Sequence, residues 1–336
     1  MADGAEEEDL YAWPPSLREP PLAFTGYADF AQWSRENNFL RRLSPIEEIA
    51  DSTSNLARQG NVTSYILGEP QPPYSLTAEM LNNPGIEWGM ATSHIFLDKA
   101  GTASYSRTQF RDWILQTRHF AHIYIDFMNR LKAKLTHVAT TGQMRFTPEL
   151  YNVAMATVEE VLTNTREDLR QYNYALEHYF NWPAHEWVRT SKTIKKYDHV
   201  LQEVSGEVPV DDSKHVQVVD DFLVLWQVQK SCYESWTFAR GATEVDVKTI
   251  MTHWPPSRKR REKLKAYMQD VVFEVFIANW GTPEFGEYVD SLGAMVDRIA
   301  RAERRMYGPL ATGNCKHCWI SVAKQELSRW PKFETF

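Results

Sequence analysis

The feature that most constrains this chain is a run of large apolar residues spaced three or four positions apart, beginning near residue 106. This spacing places the side chains on one face of a single long α-helix. An apolar face of that length has to be buried against other helices, so the run predicts a helical bundle. We expect the middle of the run to lie in the core. Its members are Phe110, Trp113, Ile114, Thr117, Phe120, Tyr124, Phe127, Leu131 and Leu135.

Helix-start signals recur after this run. A Thr-Pro-Glu triplet at 147–149 predicts a second long helix that ends at about Phe180. The same triplet at 282–284 starts another helix, which a Gly-Pro pair at 308–309 closes. The predicted fold class is therefore mainly α, a multi-helix globular bundle. Further helices are expected at about 183–204, 215–238, 257–280 and 317–330.

Trp-Pro pairs punctuate the chain. Proline biases the residue before it away from the helical region and cannot continue a helix, so each pair predicts a helix boundary. The indole ring beside it can anchor that boundary in the core. The pairs are Trp13-Pro14, Trp182-Pro183, Trp254-Pro255 and Trp330-Pro331.

The chain divides into three predicted regions. Residues 1–24 form a Pro-rich N-terminal arm, residues 25–105 a mixed helical and irregular region, and residues 106–336 the helical body. A minor β component is expected near residues 60–105, with strands at 62–67 and within 85–99. A break at 205–213, which contains Gly206 and Pro209, is the candidate subdomain boundary.

Composition narrows the functional classes. Glycine is scarce, with 15 residues, and no Walker A, Gly-x-Gly-x-x-Gly or Gly-x-Ser-x-Gly motif is present. Three cysteines cannot form a disulfide framework, and no apolar run reaches the length of a membrane span. We expect an intracellular, cytoplasmic protein with no membrane partner and no cofactor.

Three constellations could carry metal chemistry, and none has a complete motif. His119, His122 and Asp126 can share one helix face, but the patterns of known metal sites on paired helices are missing. The Cys-Lys-His-Cys run at 315–318 is half of a zinc knuckle without its other half. Paired aspartates at 211–212 and 220–221 suit magnesium, although a helix N-terminus also favours them. The sequence therefore predicts no metal site.

The most unusual charge cluster is Arg258, Lys259, Arg260 and Arg261, at the start of a predicted helix. Cations there oppose the positive end of the helix dipole, so helix energetics do not explain them. We expect these four residues to face an anionic partner, most plausibly RNA phosphate, although a solvated helix start is an alternative interpretation. A second basic ridge is formed by Arg298, Arg301, Arg304 and Arg305.

In overall layout the chain resembles the capsid proteins of small segmented double-stranded RNA viruses of plants and fungi, the partitivirus-like group. The resemblance lies in chain length, the Pro-rich arm at 13–21 and the aromatic long helices of 106–180. It implies a structural, self-assembling coat protein that packages RNA in a virion, and no site residues. An acidic N-terminal third and a basic C-terminal segment also favour homo-oligomers. The alternatives are a helical, metal-dependent enzyme using the histidines or aspartates above, and a helical adaptor that binds other proteins.

Overall fold

A computed structural model describes residues 74–140, 147–183, 188–206, 216–252 and 257–331 of the chain. These residues form helices and connecting turns and contain no β-strand, so the predicted mainly α bundle is confirmed. A π-helical segment, Val272–Ile277, precedes the short helix Ala278–Trp280, and a 3-10 turn, Pro309–Thr312, follows the helix Pro283–Tyr307. The helices are α1 (Leu76–Asn82), α2 (Ile86–Thr92), α3 (Ile95–Gly101), α4 (Arg107–Thr140), α5 (Pro148–Phe180), α6 (Lys192–Ser205), α7 (Val219–Met251), α8 (Arg258–Gln269), α9 (Ala278–Trp280), α10 (Pro283–Tyr307) and α11 (Cys315–Arg329).

The helix-start signals of the sequence act as caps. The Thr147 hydroxyl accepts a hydrogen bond from the Leu150 amide at 3.3 Å, and proline occupies the first turn of α5. Thr282 caps α10 in the same way, through the Phe285 amide at 3.2 Å. Gly308 ends α10 with a φ of 74°, a conformation that glycine adopts without steric cost. These contacts satisfy backbone groups that a helix end leaves unpaired.

The strand or irregular segment predicted within 85–99 is wrong, because this stretch forms α2 and α3. Each helix is too short to show a clear period, which is why the sequence pattern is ambiguous. Gly85, with a φ of 80°, turns the chain into α2. The His94 ring caps α3 by accepting from the Phe96 amide at 3.2 Å. Burial of Trp88 and Phe96 against other helices then stabilises α2 and α3.

Three other helix boundaries differ from the predictions. The helix expected from 183 begins at Lys192, because Ser191 caps it through the Ile194 amide. The helix expected to end at 238 continues to 251 as α7. The helix expected over 257–280 is interrupted at Asp270, whose extended backbone ends α8 and whose carboxylate accepts from the Val272 amide at 2.8 Å.

Several sequence predictions lie outside the described residues. They include the Pro-rich arm at 1–24, most of the mixed region at 25–105, the strand at 62–67 and most of the break at 205–213. The division of the chain into domains therefore stays a prediction. Within the described ranges, no helix combines the length and the apolar character needed to cross a membrane.

Helix α7 is the centre of the bundle. Every residue from 221 to 231 is buried, so the helix is covered on all sides over three turns. Helices α2, α3, α6, α10 and α11 all contact it, and α4 packs along α5 beside them. A polar side chain on this part of α7 is therefore held in the interior of the protein.

The predicted core residues are confirmed. Phe120, Tyr124 and Phe127 are all buried, and their rings stack in sequence along α4. The Trp330-Pro331 pair also behaves as predicted. The Trp330 indole donates to the Ala91 carbonyl oxygen at 2.7 Å and stacks on Trp113, with ring centroids 5.4 Å apart. This contact fixes the end of α11 against α2 and α4.

The crossing of α3 and α7 yields a stability test. A Cβ atom on Gly101 would lie 2.0 Å from the Ala239 carbonyl oxygen, whereas a Cβ on Gly241 would meet no atom within 4 Å. We expect Gly101→Ala to lower the free energy of unfolding by about 1–3 kcal/mol, because the two backbones have to separate. As the control, Gly241→Ala leaves it unchanged or raises it by up to about 1 kcal/mol. Urea denaturation measures both, and equal stability of Gly101→Ala and wild type would contradict the observed close approach.

Candidate functional site

A carboxylate lies at the meeting point of three helices in the interior. Glu326 of α11 is fully buried, and three donors surround its two oxygens. The Tyr197 hydroxyl of α6 donates to Oε1 at 2.6 Å, and the Ser231 hydroxyl of α7 donates to Oε2 at 3.2 Å. The Arg329 guanidinium approaches Oε2 at 3.1 Å. The site thus holds a buried ion pair with added hydrogen bonds, an arrangement that satisfies the charge without water.

The partner cation is held from a fourth helix. The Arg329 guanidinium lies over the Phe120 ring of α4, 4.3 Å from its centroid. Burial acts to lower the pKa of Arg329, but the charges of Glu326 and Tyr197 outweigh it and the pKa is raised. Its Nε atom is buried and has no hydrogen-bond partner within the described residues. Arg329 is therefore a permanent interior cation.

Asp168 of α5 supplies a group that titrates near neutral pH. Burial raises the pKa of this carboxyl to about 7, while a hydrogen bond with Trp280 lowers it and the nearby Glu167 raises it. A carboxyl with such a pKa can accept or donate a proton under physiological conditions. Asp168 as a whole residue is half-buried.

Cys232 of α7 lies in the same neighbourhood. Burial raises the pKa of its thiol well above the usual value, and the charge of Asp168 raises it further while Arg329 lowers it. The charges of Asp168, Arg329 and Glu326 all act on the Cys232 thiol. Cys232 is only partly covered, although the residues on both sides of it are buried.

Aromatic rings lie near Asp168 and Cys232. The rings of Tyr172 and Trp280 lie 5.7 Å apart, and the pKa of Tyr172 is raised by burial and then by Asp168 and Cys232. The Tyr124 hydroxyl donates to the Leu225 carbonyl oxygen at 3.0 Å. Burial raises the pKa of Tyr124, with smaller contributions from Tyr288, Glu326 and Asp168. Flat rings beside carboxylates suit a planar ligand that is cationic or rich in hydrogen-bond donors.

The basic cluster predicted from the sequence lies on the surface. The Arg258 side chain is 90% exposed and pairs with Glu262 at 2.9 Å, one turn further along α8. Lys259 is exposed and Arg260 is half-buried, while the side chain of Arg261 lies outside the described atoms. None of these positions belongs to the interior cluster, which is formed by Asp168, Tyr197, Cys232, Glu326 and Arg329. Their proposed role in binding an anion stays a prediction.

The structure does not bring His119, His122 and Asp126 together as a metal site. His119 is buried and its Nε2 bonds to the Val188 carbonyl oxygen at 2.8 Å, whereas His122 and Asp126 are exposed. Burial lowers the pKa of both histidines. Across the described ranges, no group of three or more His, Cys, Asp or Glu side chains could hold a metal ion. The metal-dependent enzyme that the sequence offered as an alternative thus has no support at these residues.

The aspartate pair at 220–221 connects helices instead. Asp221 forms a buried ion pair with Lys134 of α4 at 2.8 Å. Asp220 accepts from the Cys315 thiol at 3.0 Å and from the Asn314 side chain at 3.1 Å. These contacts join the start of α7 to α4 and to the start of α11. The pair at 211–212 lies outside the described residues.

The interior cluster is absent from the sequence predictions. Cys232 stands out in the sequence only as a lone thiol, and no motif marks Asp168, Tyr197, Glu326 or Arg329. One feature of the sequence could have revealed the cluster. In α11, Glu326 continues the apolar face formed by Trp319, Val322, Ala323 and Trp330. A charged residue at such a position is buried, and buried charges require partners.

Comparison with curated proteins finds one distant relative. No protein-family model matches the chain. The chain is 20% identical over 265 residues to a probable transcription factor from the fungus Fusarium pseudograminearum. The match covers 74% of this chain and 49% of the relative, so the chain spans about half the length of the curated protein that it matches.

Solved structures share the helical fold. A TenA homologue from Pyrococcus furiosus superimposes with a TM-score of 0.53 and 17% identity, over 76% of this chain and 97% of that one. A TenA family transcription regulator from a Silicibacter species gives a TM-score of 0.47 and 12% identity, over 77% of this chain and 96% of that one. At this level of identity, the Pyrococcus structure establishes a similar fold and nothing about activity.

The predicted function as a capsid or coat protein that packages RNA is wrong. The proteins to which the chain is similar are a TenA homologue and a probable transcription factor, and neither is a structural protein of a virion. The resemblance rested on length, helicity and aromatic content, which many helical proteins share. Homo-oligomerisation is a separate expectation, and it stays a prediction.

The buried phenol–carboxylate contact yields a second test. We expect Tyr197→Phe to lower the free energy of unfolding by about 1.5–3 kcal/mol, because a charged acceptor loses a buried donor. The control is Tyr74→Phe, which removes a hydrogen bond to Glu79 at the exposed surface and should change stability by less than about 0.5 kcal/mol. Equal effects of the two substitutions in urea denaturation would show that Glu326 does not depend on Tyr197.

Proposed function

We propose that the chain binds a small planar cation in the bundle interior and acts on it through Asp168 and Cys232. The observation that carries this proposal is the Glu326–Arg329 ion pair, buried in the core with a titratable carboxyl and a partly accessible thiol beside it. Buried ion pairs contribute little to stability, and apolar residues of similar size often replace them without loss. Their presence in a core therefore favours a functional reason.

The charges of the cluster define the class of ligand. Glu326 is neutralised by Arg329, so the ionised Asp168 carboxylate is the charge left for a ligand. The rings of Tyr172 and Trp280 lie near Asp168, with their centroids 5.7 Å apart, and aromatic rings attract cations. A protonated nitrogen heterocycle has both properties that the site requires, positive charge and planarity.

Ligand binding also favours ionisation of the Cys232 thiol. In the free protein the raised pKa of Cys232 keeps the thiol protonated. A cation bound beside it favours both the Asp168 carboxylate and the Cys232 thiolate over their neutral forms. Asp168 can accept the thiol proton as the thiolate adds to an electron-poor ring carbon next to the protonated nitrogen, so that the C–S bond forms while the ring C=N π bond breaks and its electron pair neutralises that nitrogen. Asp168 acts as the base and Cys232 as the nucleophile.

The proposal predicts a specific pH dependence. The pKa of Asp168 is about 7, so the carboxylate that attracts a cation is present above pH 7 and is lost as the pH falls. With 4-aminopyridine, which stays protonated in this range, affinity measured by isothermal titration calorimetry should be about tenfold weaker at pH 6 than at pH 8. Asp168→Asn should weaken binding at pH 8 and remove the pH dependence.

Two controls make this test specific. Asp126→Asn removes an exposed carboxylate of α4 and should leave affinity unchanged. Benzoate has a similar size and the opposite charge, and it should not bind. Binding of benzoate as strong as that of 4-aminopyridine, or an unchanged pH dependence in Asp168→Asn, would exclude the proposed site.

A second function, binding of nucleic acid, is favoured by the surface of α8. Arg258 and Lys259 are exposed at the start of this helix, and the fungal relative is described as a probable transcription factor. We therefore retain the anionic partner predicted from the sequence, with DNA or RNA phosphate as the contacted group. Each phosphate contact releases counterions, so binding should weaken steeply as salt rises.

The test replaces Arg258, Lys259 and Arg260 with glutamine and measures affinity for a short DNA duplex and an RNA duplex against salt. Affinity should fall for every sequence, and the logarithmic salt slope should decrease by about one for each cation that no longer neutralises a phosphate. Glutamine at Lys192, Lys195 and Lys196, three exposed cations at the start of α6, is the matched control. If both triple variants bind as the wild type does, the start of α8 is a solvated helix end.

A further inference from the structure

A cleft lies between α10 and the start of α5, away from the interior cluster. Its volume is about 420 Å³, and three arginines of α10 line one side of it, Arg298, Arg301 and Arg305. Thr147 and Leu150 of α5 line the other side. A volume of this size falls within the range of small-molecule pockets, roughly 300–1,000 Å³.

The spacing of the arginines places all three side chains on one helix face. They occupy positions i, i+3 and i+7 of α10, which lie above one another along the helix. Arg298 and Arg305 are exposed, and neither forms an ion pair with any residue in the described part of the chain. Arg301 is half-buried and donates from Nη1 to the Tyr74 carbonyl oxygen at 3.0 Å, which fixes its position.

The acidic residues near the cleft are engaged elsewhere. Asp297 accepts from the Thr77 amide at 2.9 Å and from its hydroxyl at 3.1 Å. Glu303 is buried on another face of α10 and accepts from the Val218 amide at 2.8 Å. Glu149 lies at the start of α5, where hydrogen bonds with its own amide and with Thr147 lower its pKa. None of these carboxylates is among the described residues that line the cleft.

We propose that this cleft binds a phosphate-bearing small molecule, with Arg298, Arg301 and Arg305 as the groups that hold the phosphate. The guanidinium group matches phosphate oxygens with paired donors and stays charged at every physiological pH. Three of them around one concavity provide more charge than a single phosphate monoester needs, which favours a diphosphate. Leu150 and Met306 supply apolar surface for the rest of the ligand.

The concave shape of the cleft favours a small phosphate-bearing ligand over a nucleic-acid duplex. A duplex is contacted by cations spread over a broad surface, whereas these three arginines line one cleft. Arg304, the remaining arginine of the ridge, turns away from the cleft. Its guanidinium stacks on the Tyr74 ring at 3.9 Å and donates to the Thr312 hydroxyl at 3.0 Å.

The test measures binding of inorganic pyrophosphate to the whole chain by isothermal titration calorimetry. The wild type should bind saturably, and affinity should fall as chloride rises. Arg298→Gln with Arg305→Gln should weaken binding at least about tenfold. The matched control is Arg166→Gln with Arg189→Gln, which removes two exposed arginines elsewhere and should leave affinity unchanged. A second variant, Arg298→Lys with Arg305→Lys, keeps the charge and should bind with intermediate affinity, because lysine lacks the paired donors.

Two outcomes would overturn the proposal. One is an equal loss of affinity in the cleft variant and the control, which would show an effect of net charge alone. The other is a wild type that does not bind pyrophosphate. In that case DNA binding is also measured, and it could be present in the wild type and abolished in Arg298→Gln with Arg305→Gln. That result would assign the arginines to a nucleic-acid surface.

Discussion

The buried Glu326–Arg329 ion pair sets the arrangement of the helices around it. Glu326 receives donors from Tyr197 of α6, Ser231 of α7 and Arg329 of α11, and Arg329 also lies over Phe120 of α4. Loss of any one donor leaves charge in a medium that solvates it poorly, so the four helices can shift relative to one another only at a high free-energy cost. Packing of apolar side chains alone tolerates small shifts, but hydrogen bonds of 2.6–3.2 Å do not.

Carboxyl groups with raised pKa values make this interior sensitive to pH. Burial raises the pKa of Asp168 to about 7, of Asp221 and Asp270 to about 6 each, and of Glu303 to about 8. Each of these groups holds a proton in the folded state at pH values where the unfolded chain has lost it. The free energy of unfolding therefore decreases as the pH rises from about 4 to about 8. The fold is thus less stable at the pH at which Asp168 becomes an effective base.

The sequence predicts the scaffold better than the site, for physical reasons. The run from Phe110 to Leu135 and the Thr-Pro-Glu caps are local signals, and the structure contains the long helices that they predict. Helices α2 and α3 are not predicted because each has seven residues, too few to show a period. The interior cluster joins residues up to about 160 positions apart, and no local pattern predicts that α5 brings Asp168 beside Cys232 and Glu326. The charged position on the apolar face of α11 is the one local sign.

We expect the buried Glu326–Arg329 ion pair to contribute more to ligand binding than to the stability of the fold. The most direct test of this expectation is a variant with Glu326→Leu, Arg329→Met and Tyr197→Phe, which replaces the pair and its hydroxyl donor with apolar groups of similar size. Stability is measured by urea denaturation, and binding of 4-aminopyridine by calorimetry on the same protein. We expect a free energy of unfolding within about 1 kcal/mol of the wild type, or above it, together with weaker binding, because the substitutions remove polar groups that neighbour the Asp168 and Cys232 site. Retained binding with a loss of about 3–5 kcal/mol in stability would show that the pair is structural and would contradict this claim.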